Sequence, residues 1–183
     1  MHNLDSIILR CKKNDSKAQK ELYDYYAPIL YGICLRYVSE KSVAADILQE
    51  SFLKILTKID DFSGIGSFEG WMKRIVVNTA ITEYHKNKKH NYNIEIDEIK
   101  ENKIEGNHYS NEEFTQDELM NVIKTLPPGY RIIFNMYAIE GFKHKEISKE
   151  MNIDVSTSKS QYSRAKKLIQ KKLAELSKIK IHE

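Results

Sequence analysis

Leu48, Phe52, Ile55 and Ile59 fall at steps of four, three and four. That spacing lines one side of an α-helix with apolar groups and does not alternate as a strand would. Asp46, Gln49, Glu50 and Lys54 occupy the other side, so the segment reads as an amphipathic helix over about 43–59. Similar patterns predict helices over 4–11, 17–38 and 67–88. The second carries Leu22, Ile29, Ile33 and Tyr37 at helical spacing, with Pro28 inside it. A proline there removes a donor and is expected to kink or interrupt the helix.

Between the third and fourth helices lies Asp60-Asp61-Phe62-Ser63-Gly64-Ile65-Gly66-Ser67. Its two glycines permit unusual backbone angles. Ser67 is a plausible N-cap for the helix that follows, although Gly70 three residues on cannot complete a capping box.

The helical period lapses from Lys88 to about Glu113 and returns at Thr115. Thr115 and Glu118 have capping-box spacing ahead of Leu119, Val122, Ile123 and Leu126. Pro127-Pro128-Gly129 is expected to break the chain. A helix over about 130–139 then ends at Gly141, a natural left-handed cap. Two more helices follow, over about 144–151 and 155–176. The whole is expected to be all-α, with two small helical domains, 1–90 and 112–183, joined by a flexible linker at 91–111. Only seven glycines and three prolines in 183 residues leave little material for a turn-rich β-protein. Each domain would bury a modest core.

Net charge is +3, too small to point to a partner, but the charges are segregated. From Ser156 to Ala174 there are six lysines or arginines and no acid, and from Asn93 to Glu118 nine acids and two lysines. This pattern suggests a polyanion-binding end and an acidic linker. Cys11 and Cys34 stand apart, with no CxxC or metal-type spacing. A reducing compartment is the default for such usage, and the chain is expected to be cytoplasmic. No stretch approaches the ~20 apolar residues that span a bilayer.

The six histidines lie at positions 2, 85, 90, 108, 144 and 182 without an HExxH pattern. Gly64-Ile65-Gly66 is only part of a phosphate-loop pattern and follows a helix. No catalytic residue, metal or cofactor is expected, and the chain reads as a non-enzyme.

The segment 145–159 reads as helix, tight turn and helix. Ile147 and Met151 are four apart and face inward. Asn152 tolerates the left-handed turn, Ile153 can plug the space between helices, and Asp154 can cap the second helix. That helix presents Ser156, Thr157, Lys159, Ser160, Gln161, Ser163 and Arg164. Short hydroxyl side chains at a helix start let phosphates approach its N-terminus. Gln161 and Arg164 can reach base edges in a major groove, while Lys166, Lys167, Lys171 and Lys172 attract phosphates. A helical hairpin with a solvated basic face fits the same pattern.

Three stretches together carry a resemblance. One runs from Leu22-Tyr23 to Tyr37 and into Ala45-Asp46-Ile47-Leu48-Gln49-Glu50-Ser51-Phe52-Leu53-Lys54-Ile55. The next is Gly66-Ser67-Phe68-Glu69-Gly70-Trp71-Met72-Lys73-Arg74-Ile75-Val76-Val77-Asn78-Thr79-Ala80. The last is Leu126-Pro127 with Tyr130-Arg131 and the helix-turn-helix. In these, and in their order, the chain resembles the extracytoplasmic-function (ECF) sigma factors of bacteria. The serine and glutamine choices in the last helix look Bacteroidetes-like.

The resemblance implies a subunit that binds core RNA polymerase, recognises a promoter and opens it for transcription initiation. Residues 1–90 would correspond to region 2, which binds the −10 element, and 112–183 to region 4, which binds the −35 element. Asp46, Gln49 and Glu50, with Leu53 on the same helix, would form the core-polymerase face. Phe62, Ser63, Ser67, Phe68, Lys73, Arg74 and Asn78 would form the −10 site. In it Phe62 or Phe68 supplies an apolar wall to an extruded base, Ser63, Ser67 and Asn78 polar contacts, and Lys73, Arg74 and Lys86 hold the strand. Alternatively Phe68 and Trp71 belong to the core and Asn78 to a buried hydrogen bond. Ser156, Thr157, Lys159, Ser160, Gln161, Ser163, Arg164 and Lys167 would face the −35 duplex. Many relatives carry Gly and Val where Ser156 and Ser158 stand, and often Arg at Gln161. A buried Ser158 would need its hydroxyl bonded, for which the preceding turn is the expected acceptor. Relatives are commonly held inactive by an anti-sigma factor, often membrane-bound. A second reading is a helix-turn-helix regulator that binds duplex DNA without joining the polymerase. It would leave the Asp46–Lys54 face and the Phe62–Asn78 segment without a task.

Overall fold

The computed structural model of the chain describes residues 4–90 and 114–180, and the linker expected at 91–111 lies outside them. Every regular element among the described residues is helical. The chain forms two compact units, 1–83 and 84–183, each with its own core.

The first unit begins with α1 (Leu4–Lys12), which ends where Asn14 turns left-handed at φ 58°. Asp15 then starts α2 (Ser16–Tyr37) by accepting from the amides of Lys17 and Ala18 at 2.9 and 3.3 Å. Capping of this kind satisfies amides that the first helical turn leaves without partners. Arg10 ties the hairpin together, donating to Asp15 at 2.8 Å and to Glu21 at 3.4 Å.

Of the two outcomes expected at Pro28, an interruption does not occur: α2 runs through it as one helix. The proline removes one donor, but the helix buries Leu22 and Tyr26 before it and Leu30 and Ile33 after it. Burial of large apolar side chains, each worth roughly 1.5–3 kcal/mol, outweighs the break. The apolar stripe is also corrected. Ile29 is 40% exposed, and the buried line is Leu22, Tyr26, Leu30, Ile33 and Tyr37.

Helix α3 (Lys41–Thr57) packs on α2 and leads into a single 3₁₀ turn at Ile59–Asp61. All four residues of its expected stripe, Leu48, Phe52, Ile55 and Ile59, are buried. Helix α4 (Phe68–His90) contributes Phe68, Met72, Val76, Val77, Ala80 and Ile81 to the core.

In the second unit α5 (Gln116–Lys124) starts with the expected capping box. Thr115 N donates to Glu118 Oε2 at 2.8 Å, and Glu118 N donates to Thr115 Oγ1 at 3.3 Å. The chain breaks between α5 and α6 as expected, but α6 (Pro128–Phe134) starts at Pro128, two residues earlier than the sequence suggested. The proline's missing N–H is one the first turn does not use, and its fixed φ suits a helix start. α6 widens into a π-helical segment at Asn135–Ile139, which Gly141 terminates at φ +76°. Helices α7 (His144–Met151) and α8 (Val155–Lys180) complete the unit. α8 packs against α5, α6 and α7, with Leu126, Tyr130 and Ala165 at the centre.

Candidate nucleic-acid interface

Asp46, Gln49, Glu50 and Leu53 sit at steps of three, one and three on α3, which places them on one side of the helix, away from the buried stripe. Asp46 and Gln49 are exposed and Glu50 is half-buried. Leu53 is 66% exposed, an apolar group set among carboxylates. Glu50 is held by Lys54, whose Nζ lies 2.7 Å from Glu50 Oε1 and donates to Thr79 Oγ1 at 3.2 Å. The Thr79 hydroxyl in turn donates to the Ile75 carbonyl at 2.9 Å. Glu50 is therefore oriented from α4, while Asp46 and Gln49 project outward.

The loop between the 3₁₀ turn and α4 is fixed at its two ends, and between them Ile65 N donates to Ser63 Oγ at 3.4 Å. At its start Phe62 N donates to the Ile59 carbonyl at 3.3 Å. The Phe62 ring meets Phe68 edge-on at 5.1 Å and lies 5.7 Å from Trp71, while Phe68 and Trp71 stack at 5.4 Å. At its end Ser67 is the N-cap expected from sequence, with Gly70 N donating to Ser67 Oγ at 3.0 Å. Between them Gly64 and Gly66 hold φ of +78° and +81°, a region that L side chains rarely adopt. Ile65 at the tip is 87% exposed.

Phe68 is 4% exposed and serves as the floor of the aromatic group, leaving Phe62 and Trp71 half-buried above it. Ser63 and Ser67 are exposed beside them. Asn78 is half-buried on α4, and its Oδ1 is buried without a hydrogen-bond partner among the described residues. A buried acceptor left unpaired is uncommon and costly, so its site requires an explanation. Lys73 pairs with Glu69 at 2.6 Å, one turn away, a partner that the i,i+4 spacing announces and that sequence reading passed over. Arg74 is exposed.

On α8, Ser156, Ser160, Ser163 and Lys167 follow one exposed line at steps of four, three and four. Lys159 and Arg164 are exposed beside it, and Thr157 and Gln161 are half-buried. Ser160 Oγ donates to the Thr157 carbonyl at 3.0 Å. The opposite side holds the helix in place. Ser158 and Ala165 are fully buried there, and Tyr162 packs in an aromatic group with Phe134, Tyr137 and His144. The partner of the Ser158 hydroxyl is His144 Nδ1 at 3.0 Å, on α7, and not the preceding helical turn. The turn between α7 and α8 has the expected form: Asn152 is left-handed at φ 51°, and Ile147 and Met151 are buried. Ile153 is half-buried, its amide donating to the Ser148 carbonyl at 3.0 Å.

Two family models match in the order of these surfaces. The model described as sigma-70 region 2 matches residues 22–90, and that described as sigma-70, region 4, matches 116–169. The chain belongs to the sigma-70 family, in its ECF group.

Curated relatives of this sigma factor include ECF RNA polymerase sigma-E factors. That of Haemophilus influenzae is 28% identical over 181 residues, covering 93% of this chain and 95% of the relative. That of Escherichia coli K12 is 27% identical over 180 residues, covering 93% and 94%. Among solved structures, CnrH in complex with the cytosolic domain of CnrY superposes at a TM-score of 0.51, with 15% identity over 92% of this chain and 96% of that one. RpoE in complex with the anti-sigma factor NepR from Bartonella quintana gives 0.54, with 18% identity over 85% and 96%. At these identities the likeness concerns the fold. Region 2 of the family model takes in the α3 face and the glycine loop, and region 4 takes in the helix-turn-helix.

Proposed function

We propose that this chain is a sigma factor that binds core RNA polymerase, recognises the −35 and −10 elements of a promoter, and opens the duplex to start transcription. The observation that carries the reading is the succession, in one chain, of region 2 with its pinned glycine loop and region 4 with its exposed basic helix. The finer assignment follows from the chemistry of each surface. The acidic face with Leu53 suits a basic partner surface that also offers an apolar seat. It takes core polymerase through Asp46, Gln49, Glu50 and Leu53.

The loop and its aromatic floor receive an unpaired −10 base. Phe62 gives a face on which a base can stack, while Ser63, Ser67 and Asn78 meet its edge. Arg74, and Lys73 on exchange from Glu69, hold the strand backbone. Phe68 acts from beneath, by supporting Phe62. Capture of an exposed base lowers the free energy of the open state alone, so binding shifts the closed–open equilibrium without breaking a bond. The chain is thus a regulatory subunit, and nucleotide addition belongs to the polymerase. On α8 the serine line and Lys159 and Lys167 approach phosphates, while Gln161 and Arg164 read base edges.

An anti-sigma factor is a further partner, and it would compete for the polymerase-binding surfaces. No described helix is long and apolar enough to cross a membrane, and the chain is proposed to act in the cytoplasm. Run-off transcription with core polymerase from the same host tests the reading, and promoter-dependent transcripts are expected. A helix-turn-helix regulator would bind duplex DNA yet fail to associate with core polymerase in the absence of DNA.

A further inference from the structure

Lys12, the last residue of α1, reaches 50 positions along the chain, where its Nζ donates to the backbone carbonyl of Phe62 at 3.4 Å in a partly buried site. α1 packs against the 3₁₀ turn that Phe62 closes, and Ile8, Cys11 and Ile59 are buried. The helix is itself anchored. Arg10 binds Asp15 and Glu21, and Asp15 N donates to the Arg10 carbonyl at 3.1 Å across the left-handed Asn14. Lys12 is therefore a cation at the end of a braced arm, directed at the residue from which the glycine loop departs.

We propose that Lys12 is a positioning residue for −10 recognition, fixing the origin of the base-receiving loop through the Phe62 carbonyl. The inference rests on the sigma-factor reading of that loop. Phe62 is restrained through its amide and its ring by residues of the segment 59–71, and through its carbonyl by Lys12 from outside that segment. The two positive-φ glycines give the loop a wide choice of paths. An external restraint at its start limits that choice before DNA arrives, so less ordering remains to oppose base capture. Lys12 would touch neither base nor phosphate.

The test uses the full chain. Lys12→Met keeps the aliphatic stem and removes the donor, and Lys12→Arg keeps a donor. In the free protein, hydrogen exchange over residues 62–67 should quicken in Lys12→Met and return toward the wild-type rate in Lys12→Arg. With core polymerase, permanganate reactivity of the −10 element should fall about three- to tenfold in Lys12→Met, the scale of one lost hydrogen bond, and recover in Lys12→Arg. Assembly with core polymerase should be unchanged, as should the salt dependence of promoter binding. Unchanged loop exchange, or quickened exchange with normal opening, would overturn the proposal. So would a salt slope lowered by roughly 0.7–0.9, the signature of a lost phosphate contact. If the wild-type chain opened no promoter, the sigma-factor reading itself would fail, a result separate from any effect of the variants.

Discussion

His144 Nδ1 and Ser158 Oγ lie 3.0 Å apart, joining the first helix of the helix-turn-helix to a fully buried position on the second. The imidazole also stacks on Tyr137 at 4.2 Å and meets Tyr162 at 5.9 Å. Desolvation, and then the positive charge of Lys159, hold its pKa below the ordinary value. A group whose pKa falls on folding favours the folded state when it is neutral. Stability is therefore full above the unfolded imidazole value of about 6.5 and declines as pH falls through the folded value. Thermal unfolding of the full chain across this window should show a loss on acidification that shrinks in His144→Gln. An imidazole midpoint at or above the ordinary value, measured by NMR, would refute the assignment.

Ser67 and Gly70 form a matched pair. A Cβ at Gly70 would meet Ser67 Oγ at 2.8 Å, so Gly70→Ala should displace the cap. Ser67→Ala deletes it, at a cost of about 0.5–2 kcal/mol, while Ser67→Asp should retain most of it. Denaturant titration of the three variants checks this order. Equal stability of Ser67→Ala and the wild type would mean that the cap contributes nothing.

Leu53 is exposed on the face assigned to core polymerase. Truncation to alanine should leave the melting temperature within the small range typical of surface changes. If a partner covers it, the loss of apolar burial should weaken holoenzyme assembly about tenfold. Fluorescence titration with core polymerase decides the matter, and wild-type affinity would remove Leu53 from the interface. Asp46→Lys should act in the same direction through charge.

Arg164→Ala should weaken binding to −35 duplex by about 1–3 kcal/mol and relax sequence preference. Lys167→Ala should weaken all duplexes alike and reduce the salt slope. Competition binding against altered −35 sequences at two salt concentrations separates these roles. Identical behaviour of the two variants would show that Arg164 reads no base.

Cys34 is fully buried, and burial pushes its thiol up to about 12. Cys11 is buried and shifted in the same direction. Because the thiolate is the reactive form, neither should be alkylated in the native chain at pH 8, and both should react once it is unfolded. Mass spectrometry after a timed iodoacetamide pulse measures this.

The elements easiest to read from sequence were those in which local chemistry and burial agree. The stripe of α3, the Thr115–Glu118 box, the left-handed Asn152 and the Gly141 terminus are all set within a few residues. Proline acts differently with position: burial on both sides carries α2 past Pro28, where an interruption was one of the outcomes expected, and Pro128 stands where a helix needs no donor and so begins α6 instead of preceding it. The Ile29 error arose because two stripes at helical spacing overlap on α2, and only the neighbouring helices decide which is covered. The residue types proposed for base capture are read directly from the sequence. The burial of Phe68 beneath Phe62, the buried Asn78 carbonyl and the reach of Lys12 depend on contacts distant in sequence. The same holds for Ser158, whose partner lies on another helix.

Because the glycine loop is fastened at Phe62 and Ser67 and its internal bond, from Ile65 N to Ser63 Oγ, is local, the four residues between them form a replaceable cassette. Their side chains contribute little to the core, so exchanging them for those of a relative should alter which base is preferred while the scaffold folds as before. On the proposed reading of the loop, promoter preference would drift by substitutions that folding does not select against, a route by which one framework would supply many separate regulons.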